Sequence, residues 1–433
     1  MNRAMIRLLT AVFVLFAAQS AIAGVAIERW TTAGGTRVQF VASRGLPMLD
    51  VQVDFAAGSM FDPADKAGLA ALTRALLDLG AGRRDETAIA EELADIGAQL
   101  AGGADTDRAS VSLRTLTAPE KRAVGIDILR AVIAQPRFEA AILEREKERT
   151  IAGLKEAMTR PDSIAGKAFW AALYPQHPYG RQASPESVAT LNRDDLLAFH
   201  ARHYTAANAS ITLVGDLSRA EAQQIAEQIA TSLPPGAPLP LPAAPVAGPG
   251  GNTAIAHPAT QAHIYLGLPA IERGHPDFFP LLVGNYTLGG GGFVSRLMKE
   301  VRDKRGYAYS VYSYFAPLKQ PGPFQIGLQT KRAQAREAIK VTREVLERFV
   351  ADGPSEEELA AAKANLTGSF PLRLDSNRKI LENVALIAFY GLPLDYLDRY
   401  QERVRAVTAA DVKAAFARHV RPAALNVVTV AAD

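Results

Sequence analysis

Residues 111–133, VSLRTLTAPEKRAVGIDILRAVI, open with alternating apolar and polar positions, pass through a charged turn and continue with apolar residues at helical spacing. That pattern predicts a strand, a turn and an amphipathic helix. Residues 326–350, IGLQTKRAQAREAIKVTREVLERFV, repeat the order. A second pair follows the same logic. LNRDDLLAFHARHYTAANASITLVGDL (191–217) and VTAADVKAAFARHVRPAALNVVTVAAD (407–433) each predict a capped helix, an Ala-Arg-His step, a turn and a β-branched strand. Superposing His203 on His419 sets a period of 216 residues, too long for a solenoid and suited to a duplicated domain. Strands come in adjacent runs with helices after them, which predicts an α+β fold of two similar domains, each an antiparallel sheet covered by helices.

Residues 233–251, LPPGAPLPLPAAPVAGPGG, are nearly all Pro, Gly, Ala and Leu, a composition that favours extended, semi-rigid backbone. They divide an N-terminal domain, 24–232, from a C-terminal domain, 252–433. Within the first, KAGLAALTRALLDLGA (66–81) predicts a core helix with Leu69, Leu72, Leu76 and Leu79 on one face and Gly80 at its end. Ala71, Arg74 and Ala75 lie on its other faces.

Composition narrows the classes. The chain has 433 residues, 48% of them hydrophobic, and a formal charge of +3. The first 23 residues carry Arg3, Arg7, an apolar run from Leu8 to about Ala18 and an Ala21-Ile22-Ala23 ending, the features of a cleavable secretory signal. The run is shorter than the ~20 residues a membrane span needs, and no later stretch is long and apolar enough, so no stable span is expected after cleavage. Removing residues 1–23 takes away two arginines and no acid, leaving a near-neutral surface with no electrostatic footprint for nucleic acid. Zero cysteines exclude thiolate nucleophiles and thiolate metal sites. The short, two-arginine signal fits bacterial export and places the mature chain in a periplasm.

Candidate chemistry is sparse. His200 and His203 stand three apart on a predicted helix, close enough to share a ligand, but His203 recurs as His419, which favours a packing or capping role. His177, in HPYGR, suits a loop hydrogen bond. The most unusual stretch is LGGGGFVSRLMKEVRDKRGYAYSVYSYF (288–315). Gly289, Gly290, Gly291 and Gly292 precede a predicted helix with Val294, Leu297, Met298 and Val301 on its apolar face. The Lys-Ser/Thr step of a phosphate-binding loop is missing, which leaves a backbone segment free to approach something closely. Gly306 ends the helix, and AYSVYSYF then alternates as a strand with Tyr309, Val311 and Ser313 on one face. The hairpin brings Arg302 and Tyr309 to one edge, where guanidinium and phenol could hold a peptide carbonyl; a surface ion pair and a core tyrosine are the plainer alternative.

The glycine run leading to SRLMKEVRDKRGYAYSVYS, HPYGR followed by LNRDDLLAFHARHYTAANASITLVGDL, and the duplication together resemble the pitrilysin-like, or insulinase-like, zinc peptidases of the processing-peptidase type, over nearly all of the mature chain. Active members carry His-x-x-Glu-His in a frame resembling Gly-Leu-Ala-His-x-x-Glu-His. Here Gly68-Leu69-Ala70 keeps the frame, and Ala71, Arg74 and Ala75 stand where ligands and base would be. The family's third ligand falls at Ala152 or Gly153; Glu148 and Glu156 are near, but one carboxylate cannot hold catalytic zinc, which needs about three protein ligands. The resemblance implies no metal or cofactor in this chain and a zinc-bearing homologous partner subunit. It implies that Arg302 and Tyr309 bind extended peptide for that partner, with Tyr307 a possible substitute for Tyr309, and that Gly289–Gly292 form a substrate-touching loop. The other function class it allows is a structural, assembly or peptide-binding module of the same fold with no part in hydrolysis.

Overall fold

The computed structural model describes residues 25–246 and 248–431; the signal read in residues 1–23 lies outside them. The first half runs β1 (Glu28–Thr31), β2 (Arg37–Ala42), β3 (Met48–Phe55), α1 (Leu69–Ala75), α2 (Glu86–Asp95), β4 (Gln99–Ala104) and β5 (Ala109–Leu116). It continues with α3 (Pro119–Ala134), α4 (Ala140–Ala157), α5 (Pro161–Leu173), α6 (Pro185–Ala189), α7 (Arg193–His203), β6 (Ala209–Gly215) and α8 (Arg219–Ala230). The second half runs β7 (Gly251–Ile255), β8 (Gln261–Ile271), α9 (Phe278–Asn285), β9 (Ala308–Phe315), β10 (Gly322–Lys331) and α10 (Ala335–Asp352). Then come α11 (Glu356–Gly368), α12 (Asn377–Tyr390), α13 (Tyr400–Ala406), α14 (Ala409–His419) and β11 (Asn426–Val430).

The strand orders are β1-β2-β6-β3-β5-β4 and β7-β11-β8-β10-β9. Setting β1 aside, the two orders superpose, as the duplication requires. The fold is α+β with two helix-covered sheets. Each is antiparallel except for one parallel pair, β2 with β6 and β7 with β11. Both exceptions arise because the last strand of each half returns after a long helical excursion, a connection that suits parallel pairing.

Each sheet buries one face on its own helices. Val51, Val53, Phe55, Ile211 and Leu213 meet Ile128, Leu129 and Val132 of α3 in the first core. Ile264, Leu266, Phe324 and Ile326 meet Val345, Phe349 and Phe416 in the second. On the opposite faces the halves exchange helices. α5 of the first half packs on β8 and β11, its Phe169 ring 5.6 Å from that of Tyr265, over Gly267, where a Cβ would approach Phe169 to 2.6 Å. α12 of the second half packs on β6, β3 and β2, and Ser43 Oγ donates to Asn377 Oδ1 at 2.7 Å. Fully buried Asp107 accepts from Tyr179 Oη (2.7 Å), Tyr390 Oη (2.8 Å) and the Lys319 amide (2.8 Å), joining both halves at one carboxylate.

Residues 234–246 and 248–250 form neither helix nor strand, yet they are held. Asn208 accepts from the Leu239 amide and donates to Ala237 O, and Gln320 Nε2 donates to Pro242 O.

Candidate functional site

The helix expected over 66–81 is shorter, Leu69–Ala75. Asp62 sets its start by accepting from the amides of Gly68 and Ala70, each at 2.8 Å, while Gly68 adopts φ +102°. Burial pushes the Asp62 carboxyl up to about 6 against those bonds. Leu69, Leu72 and Leu76 enter the core as expected, and Ala71 and Ala75, one turn apart, face outward.

Arg74 departs from its expected place on an outer face, because its side chain is buried. Its Nε donates to Ser110 O at 2.6 Å and its Nη2 to Ala101 O at 2.9 Å, with Asp78 Oδ1 at 3.7 Å from Nη1. The guanidinium therefore ties α1 to β4 and β5. Gly102 makes room for it at φ +130°, where a Cβ would come within 2.7 Å of Nη2 and 2.1 Å of Ser110 O. Ala152, Gly153, Glu148 and Glu156 are all exposed on α4. These residues do not fit a catalytic zinc: α1 offers methyl groups and a buried cation where an ion needs imidazole and carboxylate.

The glycine run in the second half is not a free loop ahead of one helix. α9 continues into a wider π-type turn, Tyr286–Gly290, then a 3₁₀ turn at Gly292–Val294, a break at Ser295 and a second π-type segment, Met298–Asp303. Such turns break the regular α ladder and recur at functional sites. Gly289 is buried against β9, where a Cβ would lie 2.4 Å from Ser313 Oγ. Asn285 secures this approach, donating from Nδ2 to Ser313 O (2.9 Å) and accepting from Ser313 Oγ (2.7 Å). The close approach is thus to the chain's own edge strand, and only Gly292, at φ +61°, stands in open space with positive φ within the run. Val294, expected on the buried face, is exposed, because the break at Ser295 separates it from Leu297, Met298 and Val301, which are buried.

Arg302 and Tyr309 are brought together. The Arg302 guanidinium lies 5.8 Å from the Tyr309 ring centroid and 4.9 Å from that of Phe293, and donates to Asp303 at 3.0 Å. Tyr309 does not share the face of Val311 and Ser313. Leu328 pairs with Val311 but Thr330 pairs with Ala308, so β9 carries one extra residue there. This bulge turns Tyr309 outward, 87% exposed, while Val311 and Ser313 are buried. Tyr307 packs against the second core instead. Phe293, 68% exposed, completes the cluster. Its signal in the sequence is an aromatic residue straight after four glycines, a pattern that hydrophobic periodicity does not pick out. Beside the cluster, Asn285, Gly289, Phe293, Met298, Tyr312 and Tyr314 line a cavity of about 490 Å³. The arrangement offers solvent a phenol and a guanidinium fork as hydrogen-bond donors, framed by aromatic surface.

The histidines of α7 do not converge. His200 Nε2 bonds Ile133 O at 2.9 Å and His203 Nδ1 bonds Ala56 O at 2.8 Å. Burial lowers both, His203 to about 4, so each is a neutral imidazole donating to a carbonyl. His177 Nδ1 accepts from the Tyr179 amide, a loop bond as expected.

Comparison with known proteins places these features. Residues 42–185 match the model of the insulinase peptidase family M16, and residues 190–366 match that of the peptidase M16 inactive domain. A crystal structure of a peptidase M16 inactive domain from Pseudomonas fluorescens superposes with a TM-score of 0.91 at 37% identity, covering 94% of this chain and 98% of that one. An uncharacterized zinc protease of Mycobacterium bovis is 28% identical over 92% of this chain and 91% of its own length. The non-peptidase homolog YmxG of Helicobacter pylori is 26% identical over 85% of each. With its two helix-exchanged sheets and an α1 that carries alanines and arginine, the chain belongs to the M16, insulinase-type, peptidase family.

Proposed function

We propose that this chain is the non-catalytic subunit of a periplasmic, heterodimeric zinc peptidase: it binds extended peptide and supplies Arg302 and Tyr309 to the active site of a homologous, zinc-bearing partner. The reading takes residues 1–23 as signal and 24–232 and 252–433 as the duplicated domains about a 233–251 linker. The observation that carries it is the contrast between α1, filled by Arg74, and the half-buried Arg302 beside the exposed Tyr309. In this role Arg302 holds a substrate carbonyl and the Tyr309 hydroxyl donates to oxygen that becomes negative as the peptide bond is attacked. Chemistry that needs a metal belongs to the partner, and this chain's own residues bind and orient.

The test uses purified partner and this chain, alone and mixed, with a quenched fluorescent peptide. Hydrolysis is expected only from the partner or the mixture. Arg302→Ala and Tyr309→Phe are expected to lower turnover of the mixture by roughly ten- to a thousandfold. Unchanged turnover in both variants would rule the reading out, and peptide binding without any effect on hydrolysis would favour the binding-module alternative.

A further inference from the structure

The duplication places His203 and His419 at the ends of equivalent helices, but their surroundings differ. His203 donates to a single carbonyl. His419, the last residue of α14, bonds the Asp277 carboxylate, Nε2 to Oδ2 at 2.8 Å, and its ring centroid is 4.7 Å from that of His275 at 84°. A packing role accounts for His203 and leaves unexplained why His419 faces a carboxylate 142 residues away in the chain and, beside it, a second imidazole.

We propose that His275, Asp277 and His419 form a site for a divalent transition ion such as zinc, separate from α1. One ligand atom from each lies within 4.8 Å of the others. A tetrahedral ion with ligands at about 2.0–2.1 Å sets its ligand atoms about 3.3–3.4 Å apart, so His419 Nε2 and Asp277 Oδ2, now 2.8 Å apart, must separate while the wider-set atoms close in. Two imidazoles and a carboxylate suit zinc, cobalt or nickel better than magnesium or calcium. The C-terminal end of α14 adds partial negative charge from its last carbonyls, which favours a cation. Asp277 and His419 are mostly shielded, with 17% and 16% of their side chains exposed. Of the three, His419 also lines a cavity of about 250 Å³, with Arg418, Pro245, Pro269, Pro321 and Arg421, which has room for water.

Three existing contacts compete with the ion, the first being the His419 Nε2–Asp277 Oδ2 bond itself, whose proton the ion must displace. Arg418 forks onto Asp277, Nε and Nη2 each at 2.9 Å, and although its side chain is 55% exposed this bidentate pair must yield to the ion. His275 Nδ1 accepts the Asp277 amide at 3.0 Å, so ligation exchanges that bond for the ion or shifts the ring's tautomer. Arg418 and Arg421 also add positive charge beside His419, which works against a cation.

The experiment titrates chelator-treated, untagged, full-length protein with zinc chloride by calorimetry, and with cobalt chloride by ligand-field absorption. One equivalent is expected to bind. His275→Ala, Asp277→Asn and His419→Ala should each weaken binding at least about tenfold, while His257→Ala, in a different loop, leaves it unchanged. Arg418→Ala should tighten binding by freeing the carboxylate, a gain that misfolding cannot imitate. Absence of saturable binding, native-strength binding by His275→Ala or His419→Ala, or weaker binding by Arg418→Ala would overturn the site. Peptide hydrolysis with the partner does not enter this readout, so the metal site and the proposed function stand or fall separately.

Discussion

The helix after β3 and the helix after β8 occupy matching places beside their sheets, yet they treat the neighbouring edge in opposite ways. α1 is fastened from beneath: Arg74 spends its guanidinium on Ala101 O and Ser110 O and leaves only Ala71 and Ala75 outside. α9 is fastened at its far end by Asn285 and Ser313, and the turns beyond it hold Phe293 and Arg302 beside Tyr309, which the β9 bulge turns toward solvent. The same architectural position has become a closed strut in one half and a display in the other. Duplication freed the two copies to diverge, and what separates them is whether the polar groups bond the chain's own backbone or remain available.

The sharpest way to break this comparison is to remove the strut. Arg74→Ala leaves two carbonyls without their donor and is expected to cost about 3 kcal/mol of unfolding free energy, read as a lower midpoint in urea. An unchanged midpoint would mean that the guanidinium holds nothing. Next in size is the display's anchor. Gly289→Ala drives a methyl group into Ser313 and should cost about 1–3 kcal/mol by overpacking, whereas Gly292→Ala meets no atoms and should cost about 1 kcal/mol through its positive φ alone. Equal losses at the two glycines would remove the distinction between packed and open parts of the run.

The smallest effect concerns pH and His203. The folded state lowers His203 to about 4, so between its ordinary range and about 4 the unfolded chain takes up more protons. Stability is therefore lost as pH falls through that window. Asp54 and Asp62, raised to about 6 by burial, work in the opposite direction over much of the same window, because the folded state then binds more protons than the unfolded one. The variant His203→Asn keeps an amide donor near the Nδ1 position and both carboxyls. Its stability relative to the native chain should improve as pH drops from about 7 to about 4.5, seen in urea midpoints at each pH. A difference independent of pH would show that His203 is not held neutral.

The duplication was legible because its markers are local. Asn192 with Asp195 and Thr408 with Asp411 form reciprocal capping boxes at the starts of α7 and α14, and each half closes with a β-branched strand. The pairing of Arg302 with Tyr309 was legible for a similar reason, since helix, turn and strand adjoin in sequence. The face of Tyr309 was not, because one extra residue in β9 resets the alternation and nothing in AYSVYSYF marks where. Arg74 was misplaced because hydrophobic periodicity assigns a charged residue to the surface, and the two carbonyls that receive it belong to strands some 27 and 36 residues later. Nor could periodicity foresee the exchange of α5 and α12: it tells which stripe of a helix is buried and is silent about whose sheet buries it.

That exchange also sets the order in which the molecule can be finished. β6, the last strand of the first sheet, ends at Gly215, while the helix that lies across it ends at Tyr390. Some 175 residues of chain must be delivered in that interval before the helix can dock. Throughout it, one side of the newly made sheet waits uncovered, and the N-terminal half reaches its resting state only when the chain is nearly complete.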